Sequence, residues 1–113
     1  MRPFLRAPVL LFLALLAGAC GPVEYINQVT RRASEQLAAA RESGAEKTAP
    51  YEYTSAVEYL HKAREEAGYA DYQAAIRFGR IAAEMAANAR KIALRVAAED
   101  DGAERQSSAA EDK

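Results

Sequence analysis

The sequence predicts an all-α protein, folded either as an antiparallel helical hairpin or as a three-helix bundle. Two observations predict it. Apolar residues recur at spacings of three and four through three separate runs, the period of a helix with one buried face. The runs are divided by Gly44, Pro50, Gly68 and Asp71, residue types that stop or start helices. Ahead of these runs stands a leader of different character, and behind it remain about 90 residues, enough for one module with a small core.

The leader comes first. Arg2 and Arg6 form a positive n-region and residues 7–16 an apolar h-region. Ala17-Gly18-Ala19-Cys20 then makes a small-residue cleavage site that ends on the chain's only cysteine. A bilayer core takes about 20 residues at a helical rise of about 1.5 Å each, so the apolar stretch is too short to span one. Leu16 to Cys20 resembles the lipobox of Gram-negative and other bacterial lipoproteins. That resemblance implies cleavage before Cys20, a diacylglyceryl thioether on its sulfur and often an acyl chain on the new amino group. The lipobox prefers Leu, Val or Ile three residues before the cysteine; here Ala17 holds that place and Leu16 lies one further out. Two or three acyl chains anchor a protein firmly, since each buried methylene contributes about 0.8 kcal/mol. Without the resemblance, the same residues also fit an ordinary signal peptide cut near Ala19, with Cys20 free, or an apolar N-terminus of no export value. Gly21 stands where the enteric sorting rule uses an Asp to retain a lipoprotein in the inner membrane, so the resemblance implies the outer membrane, facing the periplasm.

The mature portion, residues 20–102, reads as three helices. The first covers residues 23–43, with Ile26, Val29, Ala33, Leu37 and Ala40 on one face and Gly44 as its C′ stop. The second covers about residues 49–67, with Thr48 as N-cap and Pro50 tolerated in the first turn. Tyr53, Ala56, Val57, Leu60, Ala63 and Ala67 line its buried side before Gly68. Asp71 is the N-cap of a third helix over about residues 72–99, roughly 42 Å long. Asp100-Asp101-Gly102 follows, and the polar, acidic segment 103–113 reads as a disordered tail.

The third run carries two stripes. Tyr72, Ala75, Gly79, Ala82, Ala86, Ala89 and Ala93 form a line of mostly small side chains, and Ile81, Met85, Ile92 and Val96 form a bulkier one. The small line suits close pairing with the second helix across the short connection at residues 68–71. It is equally what an alanine-rich helix of high intrinsic propensity looks like. Either way the core is thin, since apolar burial stabilises by only about 25 cal/mol per Å² and alanine has little area to bury. The end around Ile92, Leu94 and Val96 outruns the second helix and needs cover from the first, from a second copy or from another protein.

Five of the six tyrosines, Tyr51, Tyr53, Tyr59, Tyr69 and Tyr72, fall within residues 51–72. Tyrosine offers a flat apolar ring with a polar tip and is enriched at interfaces, which makes these five the candidate partner-binding residues. The alternative is that they close the bundle ends and cover alanines. The phrases Ala49-Pro50-Tyr51-Glu52-Tyr53, Tyr59-Leu60-His61-Lys62-Ala63-Arg64-Glu65-Glu66-Ala67-Gly68-Tyr69 and Asp71-Tyr72-Gln73-Ala74-Ala75-Ile76-Arg77-Phe78 resemble an uncharacterised helical domain of Gram-negative envelope lipoproteins. In that family the domain often precedes an OmpA-like peptidoglycan-binding domain, for which nothing after Glu99 provides sequence. The resemblance implies a helical envelope module and brings no catalytic residues. A weaker similarity to the tetratricopeptide hairpin, at Asp71-Tyr72 with Ala75, Ile76, Phe78 and Ala82, fails on turn length, helix length and copy number.

Charge and motifs narrow the chemistry. Without Arg2 and Arg6 the chain carries thirteen Lys and Arg against sixteen Asp and Glu, and it has no basic tract of the size nucleic acid binding needs. One histidine and one cysteine, the latter consumed by lipid, build no Ser-His-Asp or Cys-His set, and no phosphate-binding glycine loop is present. Glu58 and His61 have the Glu-x-x-His spacing of helical di-metal sites, but no second motif accompanies them, and a solvated helix face is the better reading. Arg90, Lys91 and Arg95 suit the helix dipole and pairing with Glu99 and the aspartates beyond it better than they suit lipid headgroups or wall polymers. The sequence thus points to a non-enzymatic, lipid-anchored helical module that docks an envelope protein, or to a self-associating spacer. It calls for no cofactor, metal, nucleic acid or small-molecule substrate.

Overall fold

A computed structural model describes residues 6–17 and 21–112, and every element among them is helical. In chain order these are α1 (Arg6–Ala17), α2 (Gly21–Glu42), α3 (Ala45–Thr48), α4 (Pro50–Gly68) and α5 (Tyr72–Glu111). The all-α class holds. Among the described residues α1 packs against no other helix, and Val9, Leu10, Leu11, Phe12 and Leu13 on it are exposed.

The body of the protein consists of α2, α4 and α5 in mutual contact, with the single turn of α3 closing one end. Val29 of α2 lies against Gly79 of α5, Ala33 clusters with Ala82, and Ala40 clusters with Ala89 and Ala93. Residue numbers rise together, so α2 and α5 run parallel. Leu60 of α4 joins Ala33 and Ala82 while Tyr53 joins Ala40 and Ala89, so α4 runs antiparallel to both. The first long helix therefore packs on the other two over most of its length.

The pattern behind this packing is a seven-residue repeat. On α4, with the residue before it, the buried positions are Ala49, Tyr53, Ala56, Leu60 and Ala63; on α5, besides Ala74 in the first turn, they are Ala75, Gly79, Ala82, Ala86, Ala89 and Ala93. Alternate spacings of four and three keep one seam facing the partner helices, as in a coiled coil. Among the described residues twelve of the fifteen buried apolar ones are alanine, so the body is held by close backbone approach rather than by large side chains. Ile26, Tyr53 and Leu60 are the three larger groups in that core. The bulkier stripe of α5 is half-buried, and Ile92 packs on the cluster of Ala40, Ala45, Ala49 and Tyr53. α2 and α3 thus supply part of the cover that this end of α5 requires, although Leu94 stays 51 % exposed.

The helix boundaries follow local chemistry, with three departures from the sequence reading. Gly44 adopts a left-handed conformation at φ 79° and its N–H donates to Arg41 O, ending α2 as expected. Thr48, however, does not cap α4. Its hydroxyl donates back to Gly44 O at 3.1 Å, because residues 45–48 coil into an extra turn and the cap passes to Ala49, which offers no side-chain bond. Pro50 occupies the first turn, where its missing N–H costs nothing.

At the far end of α4 the left-handed residue is Ala70, at φ 62°, and not the nearby Gly68. Asp71 N–H donates to Glu66 O at 2.9 Å and Ala70 N–H to Ala67 O at 3.1 Å, the paired bonds of a Schellman turn. Asp71 then caps α5 as the sequence predicts, its carboxylate accepting from Ala74 N at 3.0 Å. The third departure is the length of α5. It runs 40 residues to Glu111, across the expected stop near Glu99 and through the segment expected to be disordered. Gly102 forms no left-handed cap, and Ala103, Glu104, Arg105 and Gln106 beyond it all have high helix propensity.

Candidate functional site

The tyrosines that are neighbours in the sequence are dispersed in space. Tyr51 sits in the first turn of α4 and is 73 % exposed, whereas Tyr69 follows its last turn and is 76 % exposed. Eighteen residues of helix place them about 27 Å apart. Tyr53 is only 5 % exposed and belongs to the core. Its hydroxyl accepts from Arg41 Nε at 2.9 Å, and this bond raises the Arg41 pKa above its ordinary value. Tyr59 is half-buried midway along α4, stacked on Phe78 with ring centroids 6.0 Å apart, and the Arg77 guanidinium lies over the Phe78 ring, 5.8 Å from its centroid. Tyr72 opens α5 beside Tyr69, with part of its surface exposed.

The five therefore form no single surface. Tyr51 marks one end of the body, Tyr69 and Tyr72 mark the other, and Tyr53 and Tyr59 fasten helices together. The reason is helical geometry: the buried positions of α4 fall at 53, 56, 60 and 63, so Tyr53 turns inward and Tyr51, two residues earlier, points away.

A groove of about 570 Å³ runs between α2 and α5, lined on one side by Tyr25, Gln28, Val29, Arg32 and Gln36 and on the other by Gly79, Arg80, Ala83, Glu84 and Ala87. Its floor is small and apolar and its rim is polar with charges of both signs. Arg80 Nη2 donates to Tyr25 Oη across it. Tyr25 was no candidate on sequence grounds, because it precedes the tyrosine-rich stretch. Only the parallel register of α2 and α5 brings it to Arg80, 55 positions away. Elsewhere Arg64 Nη2 of α4 donates to Ser34 Oγ of α2 at 3.0 Å.

Glu58 and His61 are both exposed, in a shallow depression shared with Tyr59, Lys62 and Glu65. The neighbouring ammonium of Lys62 binds Glu66 at 3.0 Å and Glu65 at 3.3 Å, and these bonds, Glu66 first, raise the Lys62 pKa. Among the described residues no group of three or more His, Cys, Asp or Glu is placed to hold a metal ion. Arg90, Lys91 and Arg95 stand exposed on α5, and none forms an ion pair among the described residues, because the one-sided face of α5 leaves each to water. Cys20, the expected lipidation position, lies outside the described residues. No described helix is long and apolar enough to cross a membrane. Set against family models, curated proteins and solved structures, the chain matches none of them.

Proposed function

We propose that the chain is a lipid-anchored module of the bacterial cell envelope, cut before Cys20, lipidated there and held on the periplasmic face of the outer membrane. Its three-helix bundle docks an envelope protein and performs no catalysis. The observation that carries this reading is Ala17-Gly18-Ala19-Cys20 at the end of an apolar run, followed at the very next residue, Gly21, by the first helix of the packed body. No linker intervenes, so a lipid on Cys20 would hold the bundle directly against the membrane surface.

The mechanism is geometric. Anchoring confines the module to a thin layer, which raises its effective concentration toward partners in that layer. The end of the body away from Cys20 carries two large exposed side chains, Tyr51 and Leu94, and supports partner docking there. Metabolic labelling with palmitate tests the anchor: the native chain takes up label and Cys20→Ser loses it, while an unlabelled native chain sinks the anchor. Photo-crosslinkers placed at Tyr51 and Leu94 in the native envelope test docking, and a discrete adduct with another protein is the expected result.

The long exposed stretch of α5 after Val96 favours a second reading, a self-associating spacer. Self-adducts alone, with concentration-dependent oligomers in sedimentation, would select it.

A further inference from the structure

The geometry points to a second membrane contact: the turn between α4 and α5, carrying Tyr69 and Tyr72, rests in the headgroup layer of a lipid bilayer beside the point where the chain enters the body. This inference rests on the proposed attachment at Cys20, which is what brings that end to the surface.

The contact between Val29 and Gly79 sets the levels. Gly21 lies eight residues before Val29, about 12 Å along the axis, and Tyr72 lies seven before Gly79, about 10 Å. The hydrogen bond from Arg80 to Tyr25 ties the same ends together. Both parallel helices therefore start at one level, and the turn at residues 69–71 stands at or just beyond it. Tyr69 is the most exposed tyrosine of the body, and Val23, Tyr25 and Tyr72 are exposed on the same end.

A lipid surface fits this end better than a charged partner does. Tyrosine prefers the membrane–water boundary, where its ring meets apolar chains and its hydroxyl meets water and headgroups. The charges nearby cancel: Lys62, Arg64, Arg77 and Arg80 stand against Glu24, Glu65, Glu66 and Asp71. Contact with lipid should therefore need no anionic headgroup. Tyr51, by contrast, lies two residues before Tyr53, whose hydroxyl bonds Arg41, and Arg41 is twenty residues beyond Gly21, about 30 Å from the surface.

The chain contains no tryptophan, so a single substitution supplies a clean reporter. The full chain is expressed in a Gram-negative host as Tyr69→Trp or as Tyr51→Trp, purified from membranes and reconstituted in phosphatidylcholine vesicles with or without bromine high on the acyl chains. Vesicle flotation comes first. The expected result is a floating protein in which brominated lipid lowers the Tyr69→Trp emission at least twofold and leaves that of Tyr51→Trp unchanged. A floating protein with equal quenching at both positions overturns this inference and leaves the anchor intact. A protein that does not float removes the anchor and this inference together.

Discussion

Val29 on α2 presses on the side of α5 where Gly79 has no side chain: a Cβ at Gly79 would stand 2.6 Å from Val29 Cγ1 and 3.9 Å from the Ala63 Cβ. Glycine is thus present for the close approach of three helices, since the helix itself would prefer alanine by about 1 kcal/mol. Gly79→Ala should destabilise the protein by about 1 kcal/mol net, as overpacking of about 1–3 kcal/mol exceeds the gain in propensity. Val29→Ala removes the obstructing methyls. The double variant should accordingly be at least as stable as Val29→Ala alone in thermal unfolding, and additive losses would show that Gly79 is not held by this contact.

Ala70 pays a conformational penalty that glycine would avoid. An L-residue in the left-handed region loses about 1–2 kcal/mol, and the Schellman bonds of Ala70 and Asp71 require that region here. Ala70→Gly should raise stability by about 0.5–1 kcal/mol after the larger entropy of the unfolded glycine is subtracted, a shift of a few degrees in melting temperature. Ala70→Val should lower it. An unchanged melting temperature for both would mean that the turn is not held in this form in solution.

Tyr53 contributes in two ways that substitutions separate. Tyr53→Phe keeps the buried ring and removes the acceptor of the Arg41 hydrogen bond, so a loss of about 0.5–1 kcal/mol is expected, because exposed Arg41 returns to water. Tyr53→Ala empties a site between Ala40, Ala49, Ala89 and Ala93, none of which is large enough to fill it, and should cost about 3–5 kcal/mol. Denaturant titration of both variants checks the order. Equal losses would place the whole effect in the hydroxyl.

The last turns of α5 have nothing to pack on. Buried positions end at Ala93 and half-buried ones, glycine aside, at Val96, leaving fourteen exposed positions of single helix from Ala97 to Glu111. Isolated helices of that length are marginal in water even with good helix formers. Amide exchange should therefore be far faster over residues 98–111 than over residues 75–93, and ending the chain at Glu99 should move the melting temperature by no more than a degree or two. Slow exchange in the distal stretch would indicate a contact with another chain.

These cases divide what the sequence shows from what it hides. The all-α class, the stop at Gly44, the cap at Asp71 and the small-residue stripe of α5 were legible because each depends on residues within one or two turns of each other. The end of α5 was misread because Asp100-Asp101-Gly102 resembles a stop, while the strong helix formers after it outweigh one glycine. The candidate tyrosines were legible as a group in the sequence and not as a surface, since a period of 3.6 sends Tyr51 and Tyr53 in different directions and Tyr69 to the opposite end.

By itself, then, the sequence determined the helices of the body and most of their ends, all consequences of local period and cap chemistry. Only the tertiary structure decided that α2 lies parallel to α5, that Tyr53 is core and Tyr69 is surface, that Val29 meets Gly79 and that Arg80 reaches Tyr25. Those pairings join residues up to 55 positions apart, and they follow from the register in which three nearly smooth alanine faces settle against one another. No local window contains that register, because alanine at one position packs much like alanine one heptad away.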